Sequence, residues 1–120
     1  MIQEIRKILI IDDDVAIRTS LQQILEFEGY TALCAQNGKE GLALAKEHLP
    51  NLILLDMMMP EMNGQQFLEV WEKEEILSTI PVIVLSVSKL DGKLTSKVKK
   101  INKPVDLDVL FKTISESIRG

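Results

Sequence analysis

Asp56 and the run Asp12-Asp13-Asp14 are the residues whose types and positions can do chemistry. Asp56 closes the stretch NLILLD (51–56), where four apolar residues lead straight into a carboxylate, and Pro60 and Gly64 break the chain soon after. The aspartate run follows KILII (7–11) in the same way. A continuous apolar run bounded by turn residues reads as a fully buried strand. Open α/β sheets place their chemistry at the carboxyl ends of such strands. Acids gathered at one rim raise each other's pKa, so a cation must balance them. Hard oxygen ligands with room for water suit Mg²⁺, which favours phosphate as a further ligand. A carboxylate beside bound Mg²⁺ can act as a nucleophile toward a phosphoryl group. Two more groups complete such a site. Ser86 ends PVIVLS (81–86) and can donate to a phosphoryl oxygen. Lys103, followed by Pro104, can pair with Asp56 and later with a phosphoryl oxygen; the proline disfavours a helical conformation at the lysine.

The elements that must carry these residues alternate between strand and helix. Strands are expected at 7–11, 30–35, 51–56 and 81–86, with a fifth just before Lys103. A helical stripe of Ile17, Leu21, Ile24 and Leu25 marks a helix over 15–28, with Asp14 as N-cap and Gly29 as its stop. Asn37 and Glu40 have the spacing of a capping box for a helix running to about His48, which Pro50 ends. Asn63 and Gln66 repeat that spacing before Phe67, Leu68 and Trp71. Asp106 caps a last helix with Leu107, Leu110, Phe111, Ile114 and Ile118 facing in. This alternation predicts an α/β, doubly wound, five-stranded parallel sheet with helices on both faces. The flavodoxin-like order 2-1-3-4-5 brings Asp12, Asp13 and Asp56 to one rim.

Composition sets the bounds. The 120 residues suit one domain over 1–120, and 46% apolar with 27% charged residues is an ordinary globular balance. No apolar stretch approaches the roughly 20 residues of a membrane span, and residues 1–6 lack a signal-peptide core, so a cytoplasmic protein is expected. A lone cysteine, Cys34, fits a reducing compartment and reads as a small core or edge residue. A net charge of −4 argues against bulk nucleic-acid binding. His48, at a helix end, and Trp71 read as structural.

Asp12-Asp13, Asp56 with Met57-Met58-Met59-Pro60 and Gly64, Ser86, and Lys103-Pro104 together resemble the receiver domain of two-component response regulators, along essentially the whole chain. The resemblance implies that Asp56 accepts a phosphoryl group from a sensor histidine kinase or a histidine phosphotransfer protein. It implies that Mg²⁺ is held by Asp13 and Asp56, by Asp12 (through water or directly) and by the backbone carbonyl of Met58. Ser86 and Lys103 would stabilise and sense the phosphoryl group. Output would run through a downstream protein partner, with a homodimer possible in the family manner. No enzyme activity is implied beyond the domain's own phosphorylation and dephosphorylation.

Three features depart from that family. Val87 replaces the usual small residue after the serine, and its branched side chain can narrow access. The segment between Ser86 and Lys103 is short, and Asp91-Gly92 interrupts its apolar spacing, which predicts a short or degenerate fourth helix. Lys100 stands where the family's switch aromatic is expected, among Lys93, Lys97 and Lys99. These departures keep open a constitutive protein-interaction module with a degenerate switch face. A small phosphohydrolase built on Asp12-Asp13-Asp14 leaves Asp56 unexplained.

Overall fold

The structure, a computed structural model, describes residues 5–57, 59, 62–87 and 97–119. Its five strands are β1 (Lys7–Ile11), β2 (Thr31–Ala35), β3 (Leu52–Asp56), β4 (Val82–Ser86) and β5 (Val98–Asn102). They form one parallel sheet in the order β2-β1-β3-β4-β5, the flavodoxin-like order expected from the sequence. Four helices lie among the described residues: α1 (Val15–Phe27), α2 (Gly38–His48), α3 (Gly64–Lys73) and α4 (Leu107–Arg119). None of them is long and apolar enough to cross a membrane.

The two-residue period of a strand sorts the core into two layers. Leu9, Ile11, Ile53, Leu55, Val82 and Val84 face α2 and α3, where Phe67 and Trp71 are buried. Ile8, Ile10, Leu52, Leu54, Ile83 and Leu85 face α1 and α4, against Leu21, Leu25, Leu110 and Ile114. Covered on both faces, β3 and β4 are buried at every position. That is why their sequences are continuous apolar runs rather than alternating ones.

The helix ends follow the sequence signals closely. Asp14 accepts from the amides of Ala16 and Ile17. Asn37 accepts from Glu40 N, and Asn63 with Gln66 closes both halves of a capping box. Asp106 accepts from the amides of Asp108 and Val109. Gly29 takes the left-handed φ of 94° that ends α1. α2 ends at His48 as expected, but Leu49 rather than Pro50 makes the turn. Leu49 itself adopts φ 46° and donates to Ala45 O at 2.9 Å, so the chain has turned before Pro50.

Three strands start one residue later than expected. Tyr30 still donates to Leu25 O at the end of α1, Asn51 uses its side chain to accept from Lys7 N, and Pro81 has no N–H for the ladder. Leu107 does not face in. It is exposed in the first turn of α4, which the Asp106 cap holds, and the inward stripe begins at Leu110. The expected fourth helix of the family falls on residues 88–96, outside the described residues.

Candidate functional site

Parallel pairing brings the site residues together. β1 and β3 are neighbours with Ile11 beside Leu55, so the residues that follow Ile11 emerge next to Asp56. Asp12 N still donates to Ala35 O at 3.1 Å, which fixes Asp12 at the end of the ladder. β4 lies on the other side of β3 with Leu85 opposite Asp56. Ser86 pairs with Asn102, and Lys103 N donates to Ser86 O at 2.9 Å. Four strand ends thus deliver Asp12, Asp13, Asp56, Ser86 and Lys103 to the carboxyl edge of the sheet.

A carboxylate oxygen from each of Asp12, Asp13 and Asp56 lies within 4.8 Å of the others. Asp13 is exposed, whereas Asp12, Asp56 and Ser86 are the buried polar residues of the described chain, with exposures of 1%, 4% and 3%. The Lys103 ammonium donates to Asp56 Oδ1 at 3.1 Å. The peptide bond between Lys103 and Pro104 is cis. Asp12 is the strained acid of the group. Burial pushes its pKa up to about 6, the Asp14 amide pulls it down, and the carboxylates of Asp56 and Asp13 raise it against the pull of Lys103. Its Oδ1 accepts from Asp14 N at 2.9 Å, while its buried Oδ2 has no hydrogen-bond partner. A buried carboxylate oxygen without a donor is costly unless a cation or water meets it. This oxygen, in an all-oxygen donor set open to solvent at Asp13, fits a hard divalent cation that keeps part of its water shell.

Of the residues singled out in the sequence, five converge and one is not placed, because Met58 lies outside the described residues. Asp14 stays out of the cluster and caps α1. Val87 is 73% exposed, so it is not packed into the rim. Lys100 is half-buried opposite Val84, at the end of the row Ala35–Ile11–Leu55–Val84, on the face that α2 and α3 cover. Cys34 is half-buried with its thiol pKa raised by burial and its Sγ 3.6 Å from Gln22 Oε1, which suits a structural residue. Trp71 is buried and donates from Nε1 to Ile80 O at 2.9 Å.

Sequence reasoning missed two supports of the site. Arg18 Nη1 donates to the backbone carbonyl of Asp12 at 2.7 Å. Two glycines press on the loop after β3: a Cβ on Gly64 would lie 2.7 Å from Met57 Cα, and one on Gly38 would lie 2.5 Å from Met62 O. Gly64 N also donates to Met57 O at 3.2 Å. The glycines stood in view inside capping motifs, but only the fold shows what they touch. An arginine one turn into a helix carries no signal of its own.

The model of the response regulator receiver domain matches residues 8–115. The chain belongs to that family. As a receiver domain it is a phosphoryl-accepting signalling module. It is 36% identical over 119 residues to Protein PilH of Pseudomonas aeruginosa, covering 95% of this chain and 98% of that protein. A solved CheY-like receiver domain protein from Methanospirillum hungatei superposes with a TM-score of 0.87 at 34% identity, over 97% of this chain and 95% of that one. The receiver domain also matches a probable transcriptional regulator, ycf27, of Porphyridium aerugineum, 38% identical over 90 residues, but spans only 36% of that protein's length.

Proposed function

We propose that residues 1–120 form one receiver domain in which Asp56 is the phosphoacceptor. The observation that carries this reading is the setting of Asp56: buried at a strand end, bonded to Lys103, and facing two further carboxylates, one with an unsatisfied oxygen. Asp12, Asp13, Asp56 and the Met58 carbonyl would hold Mg²⁺. The ion, when bound, offsets the negative charge that would repel an incoming phosphoryl group and helps to align it. One Asp56 oxygen attacks phosphorus, the bond from phosphorus to the donor histidine nitrogen breaks, and the electron pair leaves with the imidazole. Lys103, already within reach of Asp56, neutralises charge on the acyl phosphate. Ser86 donates its hydroxyl to a phosphoryl oxygen. The donor is a sensor histidine kinase or a histidine phosphotransfer protein, and the output is contact with a downstream protein partner or a second copy of the chain. The protein works in the cytoplasm, binds no nucleic acid through this domain, and turns over only its own phosphoryl group.

The test is intact mass after incubation with Mg²⁺ and acetyl phosphate. One phosphoryl adduct that requires Mg²⁺ and is lost in Asp56→Asn is expected. No adduct, together with no binding of beryllofluoride, would overturn the reading.

Lys100 favours a second reading. A charged residue ends a buried row of the sheet where the family's switch aromatic is expected, which suits a constitutive interaction module. Partner affinity that is the same with and without beryllofluoride would select it.

A further inference from the structure

We infer that Arg18 is a positioning residue for the acidic turn: its guanidinium bond to the Asp12 carbonyl holds Asp12 and Asp13 in the arrangement that takes a divalent cation. The inference rests on reading the cluster of Asp12, Asp13 and Asp56 as a Mg²⁺ site.

Asp12 is gripped at three of its four polar groups. Its N–H donates to Ala35 O, its Oδ1 accepts from Asp14 N, and its carbonyl accepts from Arg18 Nη1 at 2.7 Å. The fourth, Oδ2, is the buried oxygen with no hydrogen-bond partner. The grip is closed on itself. Asp14 caps α1, Arg18 N donates to Asp14 O at 3.0 Å within the first turns of the helix, and the Arg18 side chain then reaches back over the turn. The acidic turn is thereby bolted to a helix that packs on the sheet through Leu21 and Leu25. A short charge-assisted bond to a carbonyl is among the stronger hydrogen bonds a side chain makes.

The choice of acceptor is informative. Arg18 bonds the main chain of the acidic turn and makes no ion pair with Asp12, Asp13 or Asp56 among the described residues. A guanidinium paired with Asp12 or Asp13 would compete with a cation for the carboxylate oxygens. Bonded to the main chain, Arg18 orders the turn and leaves those oxygens for the metal.

This role predicts the opposite sign from simple electrostatics. Removing a positive charge beside a cation site, with nothing else altered, tightens cation binding. Removing a support of the ligand turn weakens it, by about tenfold for a lost outer partner of a metal ligand. The experiment is calorimetric titration of MgCl₂ into the full chain, with thermal unfolding in EDTA run in parallel. Arg18→Met, which keeps the aliphatic stem, is expected to bind Mg²⁺ about tenfold more weakly than the parent. Arg18→Lys, which keeps one donor and the charge, is expected to lie within about threefold of the parent. Arg18→Gln, a neutral donor, guards against a Met variant that folds poorly and is expected to lie between the two. Affinity that is unchanged or tighter in the Met and Gln variants, with the parent binding normally, overturns the role of Arg18 alone. A parent that binds no Mg²⁺ overturns the site reading and this inference with it.

Discussion

The two ends of the sheet carry similar charges under opposite conditions. At the amino edge, Lys46 and Glu74 approach to 3.7 Å with about half of each side chain in water, and the nearby Trp71 indole is satisfied by Ile80 O. At the carboxyl edge, Asp12 and Asp56 are buried, Lys103 is mostly covered, and one carboxylate oxygen lacks a donor. The first arrangement asks nothing of the fold. The second costs stability and persists because the strands around it are held by apolar packing on both faces. The polar groups that the fold satisfies least are those that a ligand would satisfy.

If packing bears that cost, breaking it should give the largest effect. Phe67 is fully buried in the layer between β3 and α3. Phe67→Ala should lower unfolding free energy by about 3–5 kcal/mol, the usual cost of emptying a large aromatic site. Urea unfolding followed by Trp71 fluorescence would read this, and a loss below 1 kcal/mol would show that the layer is loosely packed.

The acid rim should respond with the other sign. The pKa of Asp12 is about 6 in the folded protein against 3.8 for a free carboxyl. Between those values the folded state binds the extra proton, so stability from this group is lost as pH rises from about 4 through 6. Asp12→Asn should therefore match the parent near pH 4 and exceed it by up to about 3 kcal/mol above pH 7 in EDTA. Saturating Mg²⁺ should narrow or reverse that gap, because the ion binds only the folded, deprotonated parent. Melting curves of both proteins across pH, with and without Mg²⁺, would show it. A parent more stable than the variant at pH 7.5 in EDTA would mean that Asp12 is stabilised by contacts rather than strained.

The loop after β3 borders the carboxyl rim, and Gly38 tests how tightly it is held. Gly38→Ala places a methyl against the Met62 carbonyl, a backbone atom whose residue already has φ 48°. Destabilisation of about 2 kcal/mol is expected from the overpacking, offset only in part by the better helix propensity of alanine. Slower phosphorylation at equal Mg²⁺ would show that the displacement reaches Asp56.

These contrasts also explain what could be read from the chain. The apolar strands and the caps at Asp14, Asn37, Asn63 and Asp106 were legible because each rests on a local rule, an apolar run of fixed length or a short polar side chain two or three residues before its partner amide, and the sheet order followed from the alternation of strand and helix. The meeting of Asp12, Asp13 and Asp56 followed from strand order, and the pairing of Lys103 with Asp56 from opposite charges at strand ends on one edge of the sheet. What was not legible depends on distance through space. Arg18 reaches a carbonyl six residues back, and Gly38 meets Met62 across two elements. Leu107 fits the apolar spacing of α4 yet lies in its first turn, exposed, because spacing does not say where along the helix the sheet begins to cover it. Leu49 in a left-handed turn is a choice that tertiary packing makes over residue preference.

The smallest effect belongs to the amino edge, and it is the control for the rest. Lys46 and Glu74 join α2 to the end of α3 through a contact that leaves about half of each side chain in water. Water screens such a pair, and holding two long side chains in place costs entropy. A double-mutant cycle on Lys46→Ala and Glu74→Ala should give a coupling energy of about 0.5 kcal/mol or less, falling with added salt. Lys103 and Asp56 are closer, at 3.1 Å, and mostly out of water, so the same cycle on Lys103→Met and Asp56→Asn should give several times that value with little salt dependence. Equal couplings at the two edges would mean that water reaches the carboxyl rim as freely as it reaches the amino edge. The burial of Asp56 would then play no part in setting its chemistry.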